Sequence, residues 1–100
     1  MKKILHLTLK FKWYDMQESG VKPEEYREYN NYWKRRILGK FPTLKVYTHV
    51  LLRRGYTKRY IIRRIESITI GYGNPEWGAP TDRKVFIIKH TKDNETDCNS

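Results

Sequence analysis

The sequence predicts a small α+β domain: a strongly curved, mostly antiparallel β-sheet or small β-barrel of five to six strands, flanked by two short helices. Three observations lead there. Short runs alternate apolar and polar residues with a period of two. Two segments between them switch to helical spacing and end at glycine. The chain's 100 residues leave room for one compact core. With 14% aromatic residues, including eight tyrosines and three tryptophans, that core is expected to be small and ring-rich. A disordered chain would lack this much apolar surface.

Lys3–Leu9 opens the fold as a strand, with Leu5, Leu7 and Leu9 on one face and His6 and Thr8 on the other. Residues 10–19 change period: Phe11, Tyr14 and Glu18 fall on one helical side beside Trp13 and Met16, and Gly20 stops the helix. After Pro23, Glu24–Tyr29 reads as a second strand, with Glu25, Arg27 and Tyr29 sharing a face. Asn30 and Asn31 are candidate N-caps for a second helix, Tyr32–Leu38, which is basic through Lys34, Arg35 and Arg36 and ends at Gly39. Lys45–Leu52 is a third strand and Arg53–Tyr56 a turn. Lys58–Ile70 is a long strand or bent pair, interrupted by Arg63-Arg64 as a bulge or exposed edge. Gly71–Asp82, punctuated by glycine and proline, is an ordered loop, and Val85–His90 is the last strand. Leu5, Leu7, Ile61, Ile65, Ile68 and Ile87 are the expected core. Residues 1–92 form the domain and 93–100 a polar, disordered tail.

Net charge is +10, from 21 Lys and Arg against 11 Asp and Glu. That surplus suits a polyanion such as RNA, DNA or a nucleotide. A solvated surface and an anionic membrane face are the other readings of the same charge. No stretch is long or apolar enough to span a bilayer, and His6 and Thr8 break any signal-like run after Met1-Lys2-Lys3. Cys98 is the single cysteine, so neither an internal disulfide nor a cysteine metal cluster is available. A reducing cytoplasm is the expected location. His6, His49 and His90 lie in strand-like runs without ligand spacing, so no metal and no cofactor is expected.

The densest polar cluster is Gly20-Val21-Lys22-Pro23-Glu24-Glu25-Tyr26-Arg27. A lysine, a carboxylate and a guanidinium converging at the mouth of a sheet can grip phosphate, ribose or a base edge. The same three residues would also serve as a surface ion-pair ladder. If Lys22 and Glu25 meet, their opposite charges are expected to favour both ionised forms. Tyr56, Tyr72 and Trp77 sit in or beside glycine-containing loops, where a ring can stack on a base or simply pin the loop. Trp13 and Trp33, on helices, read as core. Arg53, Arg54, Lys58 and Arg59, with Lys34–Arg36, form a basic strip that could track a phosphate backbone or face solvent.

Gly20-x-Lys22-x-x-Glu25-x-Arg27 resembles the G-x-K-x-x-E-x-R signature of the ASCH domain, within the PUA-like superfamily. His6-Leu7-Thr8-Leu9-Lys10 resembles the opening strand of small bacterial and phage-encoded members. Glu24–Glu28 with Tyr32-Trp33, Arg53-x-Gly55-Tyr56, and Gly73-x-Pro75-Glu76-Trp77-Gly78-Ala79-Pro80 resemble their later segments, in the same order. The resemblance covers about residues 4–90. It implies a PUA-like β-barrel with a cleft beside the signature, and RNA or nucleotide binding by Lys22, Glu25, Arg27, Arg53, Tyr56, Lys58, Glu76 and Trp77. Some relatives are enzymes. One ASCH group deacetylates N4-acetylcytidine nucleosides with a threonine, a lysine and a glutamate. Lys22 matches that lysine, Glu25 stands at the threonine position, and Glu76 is the candidate for the glutamate. Another relative is a metal-dependent ribonuclease. A binding module, a small hydrolase using Lys22 and Glu25, and a phage-type protein that binds another protein therefore stand as the function classes.

Overall fold

The computed structural model describes residues 2–39 and 47–94 of the chain. The opening alternation becomes strand β1 (Ile4–Leu9), with Leu5, Leu7 and Leu9 buried and His6 and Thr8 exposed. Helix α1 (Phe11–Glu18) follows and buries Tyr14 and Gln17. Strand β2 (Glu24–Glu28) and helix α2 (Asn31–Ile37) come next. Of the two candidate caps, Asn30 does the capping: its side chain accepts the Trp33 N–H at 2.9 Å, satisfying a donor that has no partner inside the helix. Strands β3 (His49–Arg54), β4 (Tyr60–Gly71) and β5 (Val85–His90) complete the domain, with a single 3-10 turn, Pro75–Trp77, between the last two.

The five strands form one mixed sheet in the order β1-β3-β4-β5-β2. β1 runs parallel to β3, and the other three ladders are antiparallel. A parallel neighbour needs a long crossover, which here consists of α1, β2 and α2. β4 is long because it serves two partners. Tyr60–Arg64 pairs with β3 and Ile65–Gly71 with β5, and the register slips between Ile65 and Ser67.

Among the described residues no ladder joins β1 to β2, so the sheet is open there. Arginine side chains bridge the gap. Arg27 Nη2 donates to Thr8 O at 3.1 Å and Arg36 Nη2 to His6 O at 3.2 Å. Both guanidinium groups lie over the Trp33 ring, 5.0 and 5.5 Å from its centroid. Edge carbonyls that a sixth strand would have used are thus met by charged donors, which also discourage edge-to-edge pairing.

The core gathers Leu5, Leu7, Leu9, Tyr14, Val50, Leu52, Ile61, Phe86 and Ile88, with Ile65 and Ile68 packed against it from partly buried positions. Ile87 belongs elsewhere. Side chains alternate along β5, and burial of Phe86 and Ile88 turns Ile87 to the other face, against Gly71. The third strand also departs from expectation. Residues 45 and 46 lie outside the described residues, and pairing with β1 carries the strand through Arg53 and Arg54, so the turn begins at Gly55.

Arg63-Arg64 does not break β4. Arg64 is exposed, but Arg63 is 1% exposed and fully engaged. Its Nη1 donates to Gln17 O at 3.1 Å and Thr91 O at 3.2 Å, and its Nη2 to Glu18 O at 3.1 Å. Nε donates to Asn94 Oδ1 at 2.8 Å. Arg63 therefore caps the carbonyl end of α1, where a cation also meets the helix dipole favourably. Of the expected tail, Asp93 and Asn94 are described, and Asn94 is held by this arginine; residues 95–100 lie outside the described residues.

Candidate functional site

The loop after α1 folds back on the helix through the Lys22 N–H, which donates to Met16 O at 3.0 Å. This turns the Lys22 side chain inward, to 2% exposure. Its Nζ donates to Glu25 Oε1 at 3.2 Å. Glu25 lies at the start of β2, accepts a second hydrogen bond on Oε1 from Gln17 Nε2 at 2.8 Å, and is ion-paired through Oε2 with Arg27 Nη2 at 2.8 Å. One buried carboxylate is thus held by two hydrogen bonds and faces two cations, and the group keeps one positive charge in excess.

The carboxylate fixes the Gln17 amide. Its NH2 must face Glu25, so its oxygen faces His90 Nε2, 2.8 Å away. His90 Nδ1 lies 2.8 Å from Thr91 O. Burial holds His90 below its ordinary 6.5 although both ring nitrogens face oxygens, so the neutral ring donates to only one of Gln17 Oε1 and Thr91 O. Burial also pulls Lys22 below the usual lysine range, and attraction to Glu25 offsets this only in part. The sequence expectation that pairing would favour the charged form is corrected here for the lysine: losing water costs the ammonium more than one carboxylate returns.

Two rings flank the ammonium. Trp13 and Tyr26 have centroids 4.8 and 5.4 Å from Lys22 Nζ. Tyr26 is pinned, since its hydroxyl donates to Glu24 Oε1 at 2.7 Å and accepts the Asn74 N–H at 3.0 Å. Burial pushes its phenol well above the ordinary tyrosine value. The loop after β4 packs onto both rings through glycine. A Cβ on Gly73 would meet the Tyr26 ring at 2.6 Å, and one on Gly78 the Trp13 ring at 2.9 Å. Gly78 also has φ +95°, which side chains rarely adopt.

These elements enclose a cavity of about 270 Å³ lined by Thr8, Leu9, Lys10, Trp13, Lys22, Glu25, Tyr26, Arg27, Trp77 and Gly78. Its size lies just under the ~300–1,000 Å³ of small-molecule sites. A second cavity of about 520 Å³ shares Thr8, Leu9 and Lys10 with it and adds Phe11, Gly55 and Tyr56. A third, of about 230 Å³, shares Tyr26, Arg27 and Gly78 and adds Glu28, Pro80, Arg83 and Val85.

Comparison with protein-family models, with curated proteins and with solved structures finds no match to this chain. The site must therefore be read from its own chemistry.

Of the residues singled out in the sequence, Lys22, Glu25, Arg27 and Trp77 come together in the central cavity. Tyr56 lines the second, 99% exposed. Arg53 lies over Tyr60 and donates to Thr57 O, while Lys58 and Glu76 are exposed; none of these three lines a described cavity wall. Glu76 directly precedes Trp77 and Gly78, which do line the central cavity. Trp13, read as core, does pack against it, but it also walls the cavity. Tyr26, Lys10 and Gln17 carried no functional signal in the sequence. Their roles come from glycine–ring contacts and buried polar pairing, which no spacing rule reports. Among the described residues there is no group of three His, Cys, Asp or Glu placed to hold a metal ion, and no helix long and apolar enough to cross a membrane.

Proposed function

We propose that the chain is a cytoplasmic, ASCH-type module of the PUA-like class that binds RNA or a nucleotide in the central cavity. The observation that carries this reading is the position of Lys22. Its buried ammonium has one hydrogen bond among the described residues, to Glu25, and rests between the rings of Trp13 and Tyr26 on the cavity wall. Two N–H donors remain for a base carbonyl or a phosphate oxygen, aromatic walls suit a base, and Arg27 adds a second cation. The net charge of +10 adds long-range attraction for a polyanion.

A second reading, a small amidohydrolase, draws on the same lysine, because a desolvated lysine in a cavity is a candidate catalytic group. Glu25 weighs against it. A general base on water needs a free oxygen, whereas Oε1 of Glu25 already accepts two hydrogen bonds and Oε2 is ion-paired with Arg27. Binding without turnover is the better fit.

The test is a titration of single-stranded RNA at two salt concentrations, beside an assay with N4-acetylcytidine. Expected are weak binding that drops steeply as salt rises, its loss in Lys22→Met, and no deacetylation. Binding absent at low salt, or indifferent to Lys22→Met, would overturn the cavity reading. Turnover abolished in both Lys22→Met and Glu25→Gln would establish the hydrolase instead.

A further inference from the structure

The central cavity does not end at Lys10. Thr8, Leu9 and Lys10 form a wall common to it and to the larger cavity beside it. Beyond that wall the Phe11 ring packs against Gly55, so close that a Cβ there would meet the ring at 2.6 Å. Arg54 covers Phe11 at 4.0 Å, and its own charge is held by Asp15 at 2.9 and 3.1 Å. The Phe11 ring is therefore fixed in place while remaining half exposed. Tyr56 stands at the tip of the β3–β4 turn as a free ring, with neither ring contact nor hydrogen bond among the described residues. Tyr56 and the exposed half of Phe11 thus present aromatic surface in the cavity that Lys10 also lines, and base stacking is a chemistry such rings serve.

From this we infer that the Phe11–Tyr56 cavity is a second base subsite, that Lys10 holds the phosphate between the two bases, and that the ligand is a single-stranded RNA segment rather than a free nucleotide. The inference rests on the reading that the central cavity takes one base. Three features select this direction of travel. Lys10 is exposed on the shared wall, where a linking phosphate would pass. Lys12 adds a second ammonium beside it, 4.7 Å from the Trp13 centroid. In the third cavity, by contrast, both cations are already engaged: Arg83 with Asp82 at 3.0 Å and Glu28 at 3.9 Å, and Arg27 with Glu25 at 2.8 Å. A duplex is excluded by the same geometry, because its stacked bases cannot enter two separate hollows.

The experiment measures affinities at low salt for uridine monophosphate, the dinucleotide UpU, a five-uridine strand, the same strand in a duplex, and an oligoglutamate of equal charge. UpU should bind about tenfold more tightly than the monophosphate, the gain expected of one stacked base. In Tyr56→Ala and in Lys10→Gln that ratio should collapse toward one. A ratio near one in the parent protein overturns the second subsite while leaving the central cavity reading intact. A ratio that survives Tyr56→Ala overturns it as well. Oligoglutamate or duplex binding as tight as the five-uridine strand would replace the single-stranded RNA ligand with another class. Absence of binding by monophosphate, UpU and the longer strand alike would remove the function proposed above and this inference with it.

Discussion

Gln17 Oε1 lies 2.8 Å from His90 Nε2, while the other end of the same amide is held by Glu25 at 2.8 Å. The last strand of the sheet is thereby wired through one helical side chain to the carboxylate of the candidate site. His90 is depressed chiefly by burial, with Arg63 and Lys22 adding to the effect and Thr91 O and Glu25 opposing it. An unfolded chain takes up this proton near pH 6.5, whereas the folded protein resists it. Stability is therefore complete above pH 6.5 and falls as pH drops toward the lower folded value. Urea midpoints should decline between pH 6.5 and 5 more steeply in the parent protein than in His90→Gln. Parallel slopes would show that His90 is not the responsible group.

Removing the carboxylate and removing the lysine should have unequal effects. Glu25→Ala leaves the buried Lys22 and the Gln17 amide without their acceptor and the half-buried Arg27 without its ion-pair partner, and a broken buried pair costs about 3–5 kcal/mol. Lys22→Met deletes the charge together with its desolvation cost and leaves Glu25 two donors, so its loss of stability should be well below that of Glu25→Ala. Denaturant unfolding of the two variants checks this. A Lys22→Met protein as destabilised as Glu25→Ala would mean that the ammonium is the keystone of the group.

Arg63 should prove a structural keystone outside the site. Arg63→Leu leaves Glu18 O without its donor, at about 1–3 kcal/mol for such a group, and takes one contact each from Gln17 O and Thr91 O, which keep the Gly20 N–H and the His90 ring as partners. Arg63→Lys should rescue little, because a single ammonium cannot span acceptors at the end of α1, at Thr91 and at Asn94 together. Equilibrium unfolding measures both, and full stability in Arg63→Lys would refute the multipoint role.

Gly78→Ala tests how the site is shaped. The left-handed backbone at this position costs a side chain about 1–2 kcal/mol, and the new methyl would press on Trp13. Ligand affinity and tryptophan fluorescence should both change, whereas Gly71→Ala, with only an ordinary contact to Ile87, should alter neither. Unchanged fluorescence in Gly78→Ala would show that Trp13 has room to move.

Much of the fold was legible before any coordinates. The period of two in β1 and the glycine after α1 are local signals, and each element they announced is present. The charged triad was legible as well, because Glu25 and Arg27 alternate onto one side of a strand and Lys22 lies three residues before the first. The errors share a cause. Val85–Ile88 is apolar throughout, which blurs the alternation that assigns a face to Ile87, and Arg63 is a charged residue that local patterning alone places in solvent. Facing was then settled by partners far along the chain: Gln17, Glu18 and Thr91 for Arg63, and the buried Phe86 and Ile88 for Ile87.

By itself the sequence determined the α+β class, the order of elements, the basic surface and the Lys22–Glu25–Arg27 group, because these follow from neighbours within a few residues. Only the tertiary structure decided which rings wall the site, that Lys22 is desolvated below its ordinary basicity, and that arginines rather than a ladder bridge β1 and β2. Each of those depends on contacts between segments distant in sequence: Gly78 on Trp13, Gly73 on Tyr26, Arg27 and Arg36 on the edge of β1. Burial is a property of the whole packed chain, and no residue's spacing to its neighbours contains it.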